Sequence, residues 1–214
     1  MQIIDQNYWK VWWEAIQKGY NPKDLMYSVG PDQLESKKFL VDNIPLNEMN
    51  KFNPLRVQLY GGWYGYPLIN LLLEKFSNIE HITNIDVDES ALDLSRKYTH
   101  EFNLEEKIFL KNRNVIDKIE TSHHKDKDVR LVINTSSEHM PDLPILIENK
   151  DYTDNCVFAL QSNNMFHVVD QHINCKNNLN EFIESTGLTK IWFADSYLMP
   201  NGYERYTVIG NRRT

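Results

Sequence analysis

Residues 57–67 read Val57-Gln58-Leu59-Tyr60-Gly61-Gly62-Trp63-Tyr64-Gly65-Tyr66-Pro67. The apolar run Leu55–Tyr60 reads as a strand, and residues 67–76, PLINLLLEKF, read as a helix. Pro67 falls in the first helical turn, where a missing N–H costs nothing. Glycines between a strand and a helix let the chain turn tightly and let a ligand approach the backbone, with helix N-terminal amides facing it. Asp86 follows the next apolar run, His81–Ile85, 25 residues after Gly61. A carboxylate at such a strand end can accept both ribose hydroxyls of a nucleoside. A dinucleotide fingerprint counted from Gly61 needs glycine at 63 and 66, which hold Trp63 and Tyr66. The alternative spacing GxGxG is met at Gly61 and Gly65 but not at Trp63.

The same alternation runs outward from this turn. Ala91, Leu94, Tyr98 and Phe102 mark one face of a helix, and Lys107–Lys111, Val129–Asn134 and Val157–Gln161 read as further strands. Residues 117–128, which include His123 and His124, are polar and charged and read as a solvated segment. Asn180–Thr186 reads as a short helix closed by Gly187. Thr189–Leu198 and Tyr203–Ile209 read as a hairpin across Met199-Pro200-Asn201-Gly202. Strands alternating with helices imply a parallel sheet covered on both faces. The expected fold is therefore a three-layer α/β sheet of about seven strands, mostly parallel, ending in an antiparallel hairpin. Residues 1–52 form an expected helical cap and 53–214 the ligand-binding domain. In the cap, Trp9, Trp12, Trp13 and Ile16 recur at helical spacing and are expected in the core, with Asp5 capping and Gly19 ending the helix. A second helix is expected to start at Asp32, with Glu35 completing a capping box, and to stop before Pro45.

The chain has 214 residues, 23 Lys+Arg and 30 Asp+Glu, a formal charge of −7. Its composition is that of an ordinary globular chain able to bury a core. An acidic balance argues against long nucleic acid or an anionic membrane as a partner bound by bulk charge. Two cysteines, Cys156 and Cys175, in unlike contexts form neither a disulfide framework nor a zinc knuckle. The first residues show no signal-peptide pattern and no apolar run is long enough to span a bilayer, so the expected compartment is the cytoplasm.

Two polar segments follow strands at the edge where open α/β sheets bind ligands. In Asn134-Thr135-Ser136-Ser137-Glu138-His139-Met140-Pro141, Glu138 and His139 are the candidate proton acceptors. The alternative reading is that Ser136 or Ser137 caps a helix with Glu138 in its first turn. After the fifth strand, Asn163, Asn164 and His172 are candidates for orienting a polar substrate, with Ser136 and Tyr64 beside them. The spacing of His167, His172 and Cys175 matches no strong metal pattern, and no metal is expected. The rings of Tyr60, Trp63, Tyr64 and Tyr66 bracket the glycine turn, where one of them can stack on substrate or meet a sulfonium.

From about Leu55 to its end the chain resembles the class I S-adenosylmethionine-dependent methyltransferases. The resemblance rests on Gly61-Gly62-Trp63-Tyr64-Gly65, on Asp86, on Asn114 after the third strand and on Val132–Ser136 after the fourth. The C-terminal hairpin, whose last strand that family inserts between the two before it, adds to it. It implies S-adenosyl-L-methionine as cofactor. Tyr60, Gly61, Gly62, Trp63, Gly65 and Asn134 would line it, Asp86 and Val87 would meet the ribose, and Asn114 and Val115 the adenine. The implied function is methyl transfer to a small-molecule, nucleoside or protein acceptor. The chain departs from the family at Trp63, which replaces a glycine, and at Leu59, which replaces an acidic residue. At Asn114 it replaces an aspartate, and its amide oxygen can still accept from the adenine amino group. A second resemblance, to nicotianamine-type synthases, implies aminocarboxypropyl transfer and is compatible with Pro67. A non-catalytic partner subunit is the third reading.

Overall fold

The computed structural model describes residues 6–114, 129–140, 144, 152–153, 155–168 and 170–212. Asp5, Val115 and residues 117–128 lie outside them. Strands β1 (Leu55–Tyr60), β2 (Ile79–Asp86), β3 (Ile108–Asn112), β4 (Leu131–Asn134), β5 (Val157–Asn163), β6 (Lys190–Leu198) and β7 (Glu204–Asn211) form one sheet in the order β3-β2-β1-β4-β5-β7-β6. The first five are parallel, and β7 runs antiparallel to both β5 and β6. The last strand is thus inserted between β5 and β6, as the family resemblance implied.

Alternate residues of the central strands serve opposite faces. Leu131, Ile133, Val157 and Ala159 join one buried cluster, whereas Val132, Phe158 and Leu160 join another. That two-sided burial is why these strands read as unbroken apolar runs. Helices α5 (Leu68–Lys75) and α6 (Glu89–Glu101) cover the first face, and α7 (Leu179–Thr186) covers the second through Phe182. Gly187 ends α7 in the left-handed conformation, φ 67°.

Four helices precede the sheet: α1 (Gln6–Gln17), α2 (Pro22–Ser28), α3 (Pro31–Asn43) and α4 (Leu46–Met49). Tyr8, Val11, Trp12, Leu25, Leu40 and Met49 share the buried cluster of α5 and α6. Tyr8 meets Tyr98 of α6 with ring centroids 4.6 Å apart. Three expectations change here. Trp9, Trp13 and Ile16 are exposed, because the inward face of α1 is the stripe Tyr8, Val11, Trp12, Ala15, and the other three lie to one side of it. The capping box at Asp32 and Glu35 does not form. Pro31, with φ already fixed near the helical value, takes the first position and moves the cap to Gly30. Asn21 starts a helix that the pattern had not suggested, its side chain accepting from the Lys23 amide.

Lys75, at the end of α5, donates to the carbonyls of Val41, Asp42 and Ile44 at 2.6–2.9 Å. It thereby satisfies the open carbonyls at the end of α3. Lys75→Met should keep the fold and lower unfolding free energy by about 2 kcal/mol, since hydrogen bonds to a charged group are worth roughly 1.5–3. Urea unfolding read by tryptophan fluorescence measures it.

Candidate functional site

Strand order reverses between β1 and β4, and the crevice at their carboxyl ends is where such sheets bind ligands. The glycine turn lies on one side of it. Gly61 and Gly65 take φ of 58° and 75°, which a glycine adopts without strain. Gly62 is required for a different reason: a Cβ there would stand 1.9 Å from Asn84 Oδ1. Asn84, buried in β2, cannot swing away, because its Nδ2 donates to Trp63 O at 3.0 Å and to Ser95 Oγ at 3.3 Å. Trp63 occupies the left-handed region at φ 51°, where a bulky residue is uncommon. Its amide donates to Asp86 Oδ2 at 2.7 Å and its ring stacks on Tyr64 at 4.0 Å.

Asp86 ends β2. Its Oδ1 accepts from the Asp88 amide at 3.0 Å, so each carboxylate oxygen holds one backbone donor. A carboxylate has about four acceptor positions, which leaves room for two ribose hydroxyls. Val87 beside it is 63% exposed and Asn114 is exposed, an apolar and a polar surface that a nucleobase can meet. This side of the crevice fits a nucleoside. On the other side, Ser136 Oγ donates to Gly61 O at 3.1 Å. A Cβ on Gly61 would meet Met140 Cε at 2.7 Å, and Met140 Sδ takes a bond from Asn134 Nδ2 at 3.0 Å. Met140 therefore covers the first glycine, and a ligand reaching Gly61 must displace a flexible thioether rather than backbone.

The residues after β4 form a 3-10 turn, Ser137–His139. Ser136 stands at the N-cap position of this turn without a side-chain capping bond, and Glu138 lies in its first turn. Glu138 turns inward, 3% exposed, and its Oε1 accepts from Arg205 Nη1 at 2.6 Å and Asn163 Nδ2 at 2.7 Å. Arg205, at the start of β7, also donates Nη2 to Thr135 O at 2.7 Å. Register pairs Asn163 of β5 with Arg205, which brings the two polar strand ends together. Lys37, reaching in from α3, is held down at about 7 by burial and by the Arg205 guanidinium, against the pull of Glu138. Burial also holds His139 below the usual imidazole range despite Glu138 beside it, and raises the Cys175 thiol to about 11.

Several candidates spend their polar atoms inside the protein. Asn163 Oδ1 accepts from the Met165 amide and from Cys175, and Asn164 Oδ1 accepts from the Glu204 amide at 2.9 Å. The side-chain oxygen of each thus holds a backbone amide. Tyr60 is buried, its hydroxyl shared with Tyr152 and Gln58, and Tyr64 is buried against Trp63. Their rings are core, not platforms for a ligand. His139 and His172 do meet, with ring centroids 4.6 Å apart. Val115 falls outside the described residues. Arg205, Lys37 and Asn84 were not singled out from sequence; a charged or amide residue inside an apolar strand run was the available signal at Arg205 and Asn84.

The model of the spermine/spermidine synthase domain family matches residues 38–199. The chain belongs to this family. It is an enzyme of the S-adenosylmethionine-dependent transferase superfamily, with the Rossmann-like fold of class I methyltransferases. Among solved structures it is similar to the O-methyltransferase from Bacillus cereus in complex with SAH. The TM-score is 0.63 at 13% identity, over 97% of this chain and 91% of that one. It is also similar to the [4+2]-cyclase SpnF, with TM-score 0.63 and 10% identity over 83% and 81% of the two chains. The mitomycin 7-O-methyltransferase MmcR gives 0.61 and 12% over 94% of this chain, which spans 60% of MmcR's length. At these identities the likeness is one of fold. No curated protein matches the sequence. Among the described residues no helix is long and apolar enough to cross a membrane.

Two substitutions probe the site's construction. Gly62→Ala should cost about 1–3 kcal/mol, the usual penalty of overpacking, because Asn84 is held from both sides. Arg205→Met strands a buried carboxylate and should cost about 3–5 kcal/mol, most of it recovered in the double variant with Glu138→Gln. Chemical unfolding of the single and double variants tests both figures.

Proposed function

We propose that the chain transfers the methyl group of S-adenosylmethionine to a small-molecule, nucleoside or protein acceptor. The observation that carries this reading is the charge balance behind the 3-10 turn. Glu138, the carboxylate buried there, is already paired with Arg205 at 2.6 Å. An amino-acid donor brings its own carboxylate to balance its ammonium. Decarboxylated S-adenosylmethionine brings an ammonium with no carboxylate of its own, and Glu138 is not free to pair with it.

S-adenosylmethionine supplies a methyl carbon made electrophilic by its sulfonium. The chain's part is to hold and to orient. Asp86 takes the ribose, with Val87 and Asn114 at the base, and the turn Gly61, Gly62, Trp63 and Gly65 borders the rest. Transfer then needs mainly an aligned acceptor, and alignment contributes most of the rate. His139, exposed at the end of the 3-10 turn, is the group able to take the acceptor's proton. Glu138, engaged by Arg205, positions the turn that carries it. Ser136 and His172 stand beside it on the acceptor side. A net charge of −7 favours a compact acceptor over a long polyanion.

The family match supports a second reading, aminopropyl transfer, since spermidine synthases use the decarboxylated donor. Calorimetry separates the two. S-adenosylmethionine should bind about tenfold or more tightly than the decarboxylated donor. Asp86→Ala should abolish binding. Tighter binding of the decarboxylated donor, with methylthioadenosine released in the presence of a polyamine, would overturn the proposal in favour of aminopropyl transfer.

A further inference from the structure

Glu138, His139 and His172 each offer a ligating atom, and these atoms lie within 4.8 Å of one another. Three independent features prepare them. Glu138 Oε1 is fixed by Arg205 and Asn163, whereas Oε2 is buried and has no hydrogen-bond partner among the described residues. A buried carboxylate oxygen without a donor is costly and marks a place for a cation. His139 Nδ1 lies 3.2 Å from Gln171 O, and His172 Nδ1 lies 3.0 Å from Met165 O. A carbonyl only accepts, so both Nδ1 atoms carry the proton. That leaves the lone pair of each neutral ring on Nε2, the tautomer that outer-shell carbonyls impose on metal-binding histidines.

We infer that Glu138, His139 and His172 form a binding site for a divalent transition metal. Two imidazoles and one carboxylate oxygen suit Zn²⁺, Mn²⁺, Fe²⁺ or Co²⁺, and they leave open positions for water or a substrate oxygen; with an ion bound, that water would take the acceptor's proton in place of His139. Metal–ligand bonds of roughly 2.0–2.2 Å require the three donors to close in from their present spacing. His139, exposed at the end of a short turn, and His172, half-buried in a loop, can do so by side-chain rotation. Arg205 withdraws part of the carboxylate's charge, so binding is weaker than at a site with a free anion.

From the sequence no metal was expected, because the spacing of His167, His172 and Cys175 matches no strong pattern. His167 is exposed, and the Cys175 thiol donates to Asn163 Oδ1 at 3.3 Å, so neither joins His172. The adjacent Glu138-His139 pair meets His172 only because β4 and β5 end side by side.

Cobalt provides the test, read without any methyl donor so that it stands apart from the transfer reading. The untagged, chelator-stripped protein is titrated with Co²⁺, followed by visible absorption and calorimetry, and then with Zn²⁺ in competition. The expected result is one ion per chain with ligand-field bands, displaced by Zn²⁺. His139→Ala and His172→Ala should each weaken binding about tenfold or more while leaving the circular dichroism and the unfolding midpoint unchanged. Glu138→Gln should weaken it likewise; if that variant fails to fold, the two histidine variants decide. Absence of binding, or binding that survives both histidine variants, overturns the inference.

Discussion

A buried charge at the carboxyl edge of the sheet determines how the rest of the site is built. Glu138 and Arg205 are almost wholly enclosed, with 5% and 6% of their side chains exposed, and meet at 2.6 Å. Each ion costs several kcal/mol to bury, and either one alone would leave that cost uncompensated. The pair therefore ties the turn after β4 to the first residues of β7. It draws in Asn163, and its guanidinium reaches back to Thr135. Gln161 of β5 donates to Ser36 O of α3 at 3.0 Å, which ties the N-terminal helices to the same part of the sheet.

The glycine turn follows a second constraint, close approach rather than conformational freedom alone. Gly62 must lack a side chain because Asn84 stands against it, and Asn84 is there to hold Trp63 O. This clamp explains how a tryptophan is tolerated where the class I pattern has glycine. The positive φ is supported by bonds at both ends of the residue, from its amide to Asp86 and to its carbonyl from Asn84. Asp86 thus has two tasks, holding the turn and offering its remaining acceptor positions to a nucleoside.

Most of the architecture was legible in the chain. The runs at 55–60, 81–85, 157–161 and 204–209 lie in β1, β2, β5 and β7, whose two faces are both largely buried, polar residues such as Asn84 and Arg205 included. Gly187 and Gly202 ended elements where a left-handed residue was needed. The α1 stripe was misread because Trp9 and Trp13 are as apolar as Trp12, and only packing against Tyr98 selects the face. The start of α3 was misplaced because proline at the first position outweighed a side-chain cap.

The sequence alone determined the order of strands and helices, the glycine turn and the acidic end of β2, because these depend on neighbours a few residues apart. Tertiary structure alone decided which polar groups meet. Glu138 and Arg205 are 67 residues apart, His139 and His172 are on different strand ends, and Asn163 bonds the Met165 amide and Glu138. Those pairings follow from strand register and from the cost of burying an unpartnered polar group, and neither is written in local spacing.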